Sequence, residues 1–174
     1  LDLRAPALSE YQRMLKRAFD LFLCLLAAPL ALPLLGLLAL LVRLDSPGPV
    51  FYRARRVGEN GRLFSMLKFR TMVVDADRLG VSLWPRDYHG NIIHKVRDDP
   101  RVTRVGRFLR RASLDELPQV WNVLTGEMSL VGPRPEMPEL VERYEPWQRT
   151  RFAVPQGITG WWQINGRSDK PMHL

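Results

Sequence analysis

The chain has 174 residues, a formal net charge of +8 and a pI near 10.4. That length makes one compact domain and little more, and the positive balance calls for an anionic partner: a phosphorylated substrate, an anionic lipid surface or nucleic acid. The single cysteine, Cys24, excludes an internal disulfide and any cysteine-rich metal site and reads as a small apolar filler.

Leu1 to Glu10 reads as a ragged lead-in, and the abrupt start at Leu1 as that of a fragment. Tyr11 to Asp20 carries apolar residues at helical spacing and continues into Leu21–Val42, a run of 22 residues without a charged or polar side chain. As a helix this run would reach roughly 33 Å, enough for a hydrocarbon core. Pro29 and Pro33 lie near its middle, and Lys or Arg flank it on both sides (Lys16 and Arg17 before, Arg43, Arg53, Arg55 and Arg56 after). One spanning helix and one re-entrant helix that breaks at the prolines both stay open, and the re-entrant one accounts for the prolines and for positive flanks on both sides, because such flanks mark the cytoplasmic side. Asp20, close to hydrocarbon, is expected to pair with Lys16 or Arg17 at the interface.

The turn Asp45-Ser46-Pro47-Gly48-Pro49 ends this segment. Val50–Arg56 and Leu63–Met72 read as two strands of a hairpin about Gly58–Gly61, with Lys68 and Arg70 on one basic face. Such a face is solvated or holds phosphate. Val73–Leu79 is a short helix candidate, and Gly80–Lys95 is irregular, with His89 and His94 as ordinary loop histidines. Asp98-Asp99-Pro100 is expected to open a helix. Thr103–Ala112 places Arg104, Arg107 and Arg111 on one helical face with Arg110 beside it, either a solvated or lipid-facing surface or a diphosphate clamp.

Ser113-Leu114-Asp115-Glu116 is the decisive stretch. It fits a capping box, with Ser113 the cap and Glu116 its partner, but Pro118 would remove a hydrogen bond from the helix that follows. Two adjacent carboxylates behind an arginine cluster could also hold a divalent cation and a phosphate, or supply a carboxylate nucleophile. Val120–Leu124 continues a helix that Gly126 stops. Gly132-Pro133-Arg134-Pro135 is a rigid turn projecting one arginine, with Pro133 and Pro135 fixing its backbone. Glu136–Phe152 reads as one amphipathic helix suited to a membrane interface, and Pro155–Trp162 as a turn and short strand.

These stretches together resemble the bacterial sugar transferase family, the monotopic phosphoglycosyl transferases that begin glycan assembly on polyprenyl phosphate. The matching residues are Lys16-Arg17 with Asp20, Ser46-Pro47-Gly48-Pro49-Val50-Phe51, Leu67–Met72, and Asp99–Gly106. The match is densest in Ser113–Gln119, Gly126–Pro135 and Pro155-Gly157-Ile158-Thr159-Gly160. The resemblance implies that Asp115 attacks the sugar-proximal phosphate of a UDP-sugar and expels UMP, after which polyprenyl (undecaprenyl) phosphate takes the sugar phosphate from the aspartyl enzyme. It makes Glu116 the second dyad member, in proton transfer or metal binding, Asp115 and Glu116 the ligands of a Mg²⁺, Arg110 a phosphate-binding residue and Arg134 a contact on the nucleotide side. Lys68, Arg70, Pro133 and Pro135 complete the expected substrate-binding set. Lys16, Arg17, Pro29 and Pro33 form the anchor, which the resemblance makes re-entrant. One departure is that Ala28-Pro29 stands where some members have Ser-Pro, so the kink rests on proline and packing.

The expected fold is α/β, mainly helical with a small β-sheet, an N-terminal re-entrant membrane helix and interfacial amphipathic helices. Residues 1–45 would form the helix with its membrane segment, and 46–174 a membrane-associated catalytic domain on the cytoplasmic face of a bacterial inner membrane. The expected partners are a UDP-sugar, polyprenyl phosphate and membrane lipid, with no nucleic acid; the resemblance also admits a homodimer. The competing reading is a non-catalytic membrane-anchored basic binding or scaffold module.

Overall fold

The computed structural model describes residues 8–76 and 99–160. The expectations for His89 and His94, for residues 77–79 of the Val73–Leu79 helix candidate and for Trp161 and Trp162 lie outside the described residues.

Helix α1 runs from Glu10 to Asp45 and begins with a capping box in which Ser9 and Gln12 satisfy each other's backbone amides. At about 1.5 Å per residue it is roughly 54 Å long, and it is long and apolar enough to cross a membrane. The helix continues through Pro29 and Pro33, so the expected break is not an interruption of helical structure. Much of the middle of α1 is uncovered by the described residues: Leu25, Leu26, Leu30 and Leu32 are exposed. Its buried residues are Asp20 and Cys24 toward one end and Leu38 and Val42 toward the other.

Strands β1 (Phe51–Val57) and β2 (Leu63–Phe69) form an antiparallel hairpin in which Tyr52 faces Lys68 and Ala54 faces Met66. Asn60 in the connecting turn takes a left-handed conformation, which Asn tolerates. Helix α2 covers Arg104–Ala112 and is capped by the Thr103 hydroxyl, which accepts from the Gly106 amide. The helix expected to open at Asp98-Asp99-Pro100 therefore begins later. Asp99 instead accepts from the backbone amide and guanidinium of Arg101 in a turn, and the helix waits for a residue that can cap it.

A 3-10 segment, Leu114–Gln119, leads into the short helix α3, Val120–Thr125, which ends at Gly126 with φ +86. Strand β3 (Ser129–Val131) pairs in parallel with β4 (Gly157–Thr159). Gly132 and Gly157 cross so closely that a Cβ on Gly157 would lie 2.1 Å from the Gly132 nitrogen. The single amphipathic helix expected over Glu136–Phe152 is two pieces, α4 (Pro138–Val141) and a 3-10 segment, Pro146–Ala153. Pro146 is the reason: it lacks an N–H and its ring clashes with the preceding turn.

Two buried clusters hold these elements. Cys24 packs with Ala54, Met66, Val123 and Met128, so the filler reading of the cysteine is borne out. Leu38 and Val42 pack with Phe69 and Leu109. The two ends of α1 thus close two cores under one hairpin, and the cores meet β2 at residues only three apart.

Candidate active site

Three elements converge on the dyad. Strand β2 brings Lys68, the chain after α2 brings Asp115 and Glu116, and the turn after β3 brings Arg134. Ser113 makes the approach possible. It takes φ 59 and ψ 19, ending α2 in the left-handed conformation and reversing the chain into the 3-10 segment. The capping-box reading of Ser113 and Glu116 is therefore incorrect: the Ser113 side chain caps nothing, and Glu116 points elsewhere.

The Glu116 Oε1 atom accepts from Lys68 Nζ and Arg134 Nη2, each at 2.9 Å. Burial alone would push this carboxyl up, but Lys68 and Arg134 outweigh it and hold it at about 2. Such a group stays ionised at neutral pH, which suits an organiser of the two cations better than a proton carrier. Burial lowers the pKa of Lys68, partly offset by Glu116.

Asp115 lies half-buried beside this triad and is shifted in the opposite direction. It forms no ion pair among the described residues. Burial pushes its pKa up and the charge of Glu116 adds to that, against Lys68 and Arg110, which draw it down. Asp115 is thus a half-buried carboxylate with no ion pair among the described residues, under the influence of Lys68 and Arg110. Its neighbour is arranged to stay in place.

Arg110, at the last turn of α2, donates Nε to the Thr71 hydroxyl at 2.8 Å. Arg70 is not part of this constellation. Strand β2 ends at Phe69, and Arg70 turns away to donate Nη2 to the Ser46 carbonyl at 2.6 Å and the Ser46 hydroxyl at 2.9 Å. The expected shared face of Lys68 and Arg70 does not form, because Arg70 is buried against the loop that leaves α1. Pro133 and Pro135 flank Arg134 as expected. The carbonyl of Pro133 accepts from the Gly157 amide, and that of Arg134 from Arg151, so the turn is fixed from behind.

The expected anchor cations also have defined partners. Lys16 donates to the Val131 carbonyl, and Arg17 to the carbonyls of Val123 and Leu124 at the end of α3. Asp20 does not pair with either, contrary to expectation. It is buried and accepts from the Ser129 hydroxyl at 2.7 Å and the Leu130 amide at 3.2 Å. With Lys16 and Arg17 spent on orphan carbonyls, Asp20 meets the free donors at the start of β3.

Sequence reasoning did not single out Asn122. It is buried and its amide spans two elements, accepting from Leu67 N and donating to the Ser65 carbonyl and the Glu127 carboxylate. It holds β2 next to Lys68. The available signal was one amide inside the apolar stretch Val120–Leu124, where a polar group needs partners.

The chain is similar to known proteins over nearly all of its length. The model of the family described as bacterial sugar transferase matches residues 11–173. The chain is 44% identical over 167 residues to the UDP-galactose-lipid carrier transferase of Erwinia amylovora, covering 90% of this chain and 34% of that protein. It is 46% identical over 167 residues to the UDP-glucose:undecaprenyl-phosphate glucose-1-phosphate transferase of Escherichia coli K12, covering 91% of this chain and 32% of the relative. It is 43% identical over 160 residues to the exopolysaccharide production protein ExoY of Rhizobium meliloti, covering 90% and 71%. The chain thus spans about a third of the length of the first two relatives.

Proposed function

The chain belongs to the bacterial sugar transferase family, and from that premise we propose that it transfers a sugar 1-phosphate from a UDP-sugar to polyprenyl phosphate. The observation that carries the reading is the division of labour in the dyad: Asp115 is without an ion pair among the described residues, while Glu116 is locked between Lys68 and Arg134. Relatives are named as undecaprenyl-phosphate transferases of glucose or galactose phosphate, and two of the names give a UDP-sugar, which supports the same substrate classes here.

The proposed chemistry is two displacements at one phosphorus. A carboxylate oxygen of Asp115 attacks the sugar-proximal phosphorus of the UDP-sugar, the bond to the bridging oxygen breaks, and its electron pair leaves with UMP. An oxygen of polyprenyl phosphate then attacks the same phosphorus. The Asp115–phosphorus bond breaks, the carboxylate returns and a polyprenyl-diphosphate sugar forms. Both the leaving group and the second nucleophile are phosphate oxygens that are anionic at neutral pH, so neither step requires Glu116 to carry a proton. Lys68, Arg134 and Arg110 stabilise the charge that shifts between the phosphates.

The dyad also fits a Mg²⁺. No group of three metal-ligating side chains occurs among the described residues, but this ion is commonly held by one or two carboxylates and completed by substrate phosphates. Asp115 and the Glu116 oxygen not engaged by Lys68 and Arg134 would supply those ligands, and the ion when bound would neutralise diphosphate charge as a Lewis acid.

We place the catalytic domain at the cytoplasmic membrane surface on a re-entrant α1. Cys24 and Leu38 would lie about 21 Å apart along a straight helix, yet the clusters they join meet β2 at Met66 and Phe69, about 10 Å apart along the strand. A bend at Pro29 and Pro33 would bring the two ends together. Exposed Phe108 and Trp121 on α2 and α3 extend the apolar surface, so the dyad would meet a soluble nucleotide and a lipid phosphate at headgroup level. Cysteines at Glu10 and at exposed Leu44 test the bend; Asp45 is avoided because its carboxylate accepts from the Val105 amide and helps cap α2. Both positions are expected to label from the same side of a membrane vesicle, and labelling from opposite sides would mean a spanning helix.

The functional test is UMP release by the chain with a panel of UDP-sugars, polyprenyl phosphate and Mg²⁺. Intact-mass analysis without the lipid acceptor should show a sugar-phosphate adduct. Absence of both UMP and adduct with every donor would return the chain to the binding or scaffold reading.

A further inference from the structure

Thr71 is buried, follows β2 by two residues and makes bonds in two directions. Its carbonyl accepts from the Thr103 amide at 3.1 Å, at the residue that caps α2. Gly106 in the first turn presses on the same carbonyl, so closely that a Cβ there would come within 2.2 Å. Its hydroxyl accepts from Arg110 Nε at 2.8 Å, two turns further along the helix. The carbonyl fixes where α2 starts and the hydroxyl fixes where Arg110, near its end, points. A buried β-branched side chain has few rotamers, so this acceptor is stationary.

The consequence lies at the other end of the guanidinium. The Arg110 side chain is exposed and forms no other hydrogen bond or ion pair among the described residues, so both terminal nitrogens are unspent there. Its charge acts on Asp115. An exposed arginine ordinarily samples many rotamers, and holding it by Nε alone removes that freedom while leaving the two nitrogens that fork onto phosphate oxygens. We propose that Thr71 is a positioning residue that holds Arg110 by Nε so that its terminal nitrogens face a substrate diphosphate beside Asp115. The inference rests on the phosphotransfer reading above and extends it by a residue that touches no substrate.

The test is UDP binding by calorimetry to the membrane-reconstituted chain, with UMP release from the preferred UDP-sugar measured alongside. Thr71→Val keeps the shape and removes the acceptor, and is expected to weaken UDP binding about fivefold to tenfold. Thr71→Ser keeps the hydroxyl and is expected to stay within about twofold of the native chain. In an Arg110→Met background, Thr71→Val should add nothing, because the group it positions is gone. Additive effects in the double variant, or equal losses in the Val and Ser variants, would overturn the inference and leave Thr71 as packing alone. Thermal melts of each variant separate misfolding from mispositioning: a Thr71→Val chain that is destabilised but still non-additive with Arg110→Met supports the inference. UDP binding with intact coupling but no UMP release would unseat the phosphotransfer reading alone, and failure of the native chain to bind UDP would overturn both.

Discussion

Asp115→Asn is expected to abolish UMP release, with a loss of at least about 10³-fold in turnover and no sugar-phosphate adduct by mass. Asparagine keeps the size of the side chain and removes the anionic oxygen that would form the bond to phosphorus. The fold should survive, because Asp115 makes no ion pair whose loss would leave a buried partner among the described residues. The native pH profile carries a second signature. Burial raises the Asp115 pKa, so the reactive carboxylate is lost as pH falls through a value above the usual 3.8. The acid limb of UMP release should therefore lie higher than that of an unburied aspartate. Turnover and adduct formation that survive in the asparagine variant would mean another group is the nucleophile.

Much of this site was legible because its signals are local. The apolar run, the hairpin turn, the Pro-Arg-Pro turn and the adjacent carboxylates are patterns within a few residues, and the structure brings Lys68, Asp115, Glu116 and Arg134 together. What the sequence concealed depends on partners far along the chain. Asp20 was expected to pair three or four residues away, but its partners are Ser129 and Leu130. Arg70 was placed with Lys68 by strand alternation, which fails because the strand stops one residue earlier. The capping pattern at Ser113 is real as a pattern. It lost to Lys68 and Arg134, which no local rule could place within reach of Glu116. Pro146 is the opposite case, a local signal sufficient to divide the expected helix.

The anchor and the site are mechanically continuous. Near the N-terminal end of α1, Lys16 bonds Val131 and Asp20 bonds Ser129 and Leu130, which lead directly into the turn that carries Arg134. At the C-terminal end, Asp45 helps cap α2, which carries Arg110, and Ser46 receives Arg70, two residues from Lys68. Each site cation thus hangs on an element fastened to the membrane helix. On the proposed re-entrant reading, the relative placement of these cations depends on the bend of α1, which would link insertion of the anchor to the shape of the proposed diphosphate site.

Glu116→Gln should separate organisation from attack. The carboxylate compensates two cations at once, so its neutral replacement leaves Lys68 and Arg134 facing each other with one shared acceptor. The native group is held at about 2 against its usual 4.5. Its folded pKa lies below the unfolded one, so the stabilisation is present above about pH 4.5 and is lost as pH falls toward 2. That shift corresponds to roughly 3 kcal/mol, and about 2 kcal/mol is expected in practice because the Arg134 side chain is 37% exposed. Urea denaturation should show the variant less stable by that amount at neutral pH, with the gap closing toward pH 2, where the native glutamate is itself protonated. A gap independent of pH would mean that the ion pairs do not hold the turn. In catalysis the variant should lose about 10²-fold in turnover through misplaced cations, and its acid limb should move down. Removing the Glu116 charge takes away one cause of the raised Asp115 pKa and frees Lys68 to act on that carboxylate. A slower enzyme that still forms the adduct, with an acid limb at lower pH, is the outcome expected of an organiser beside a nucleophile. Complete loss of the adduct in a folded variant would instead give Glu116 the bond-forming role.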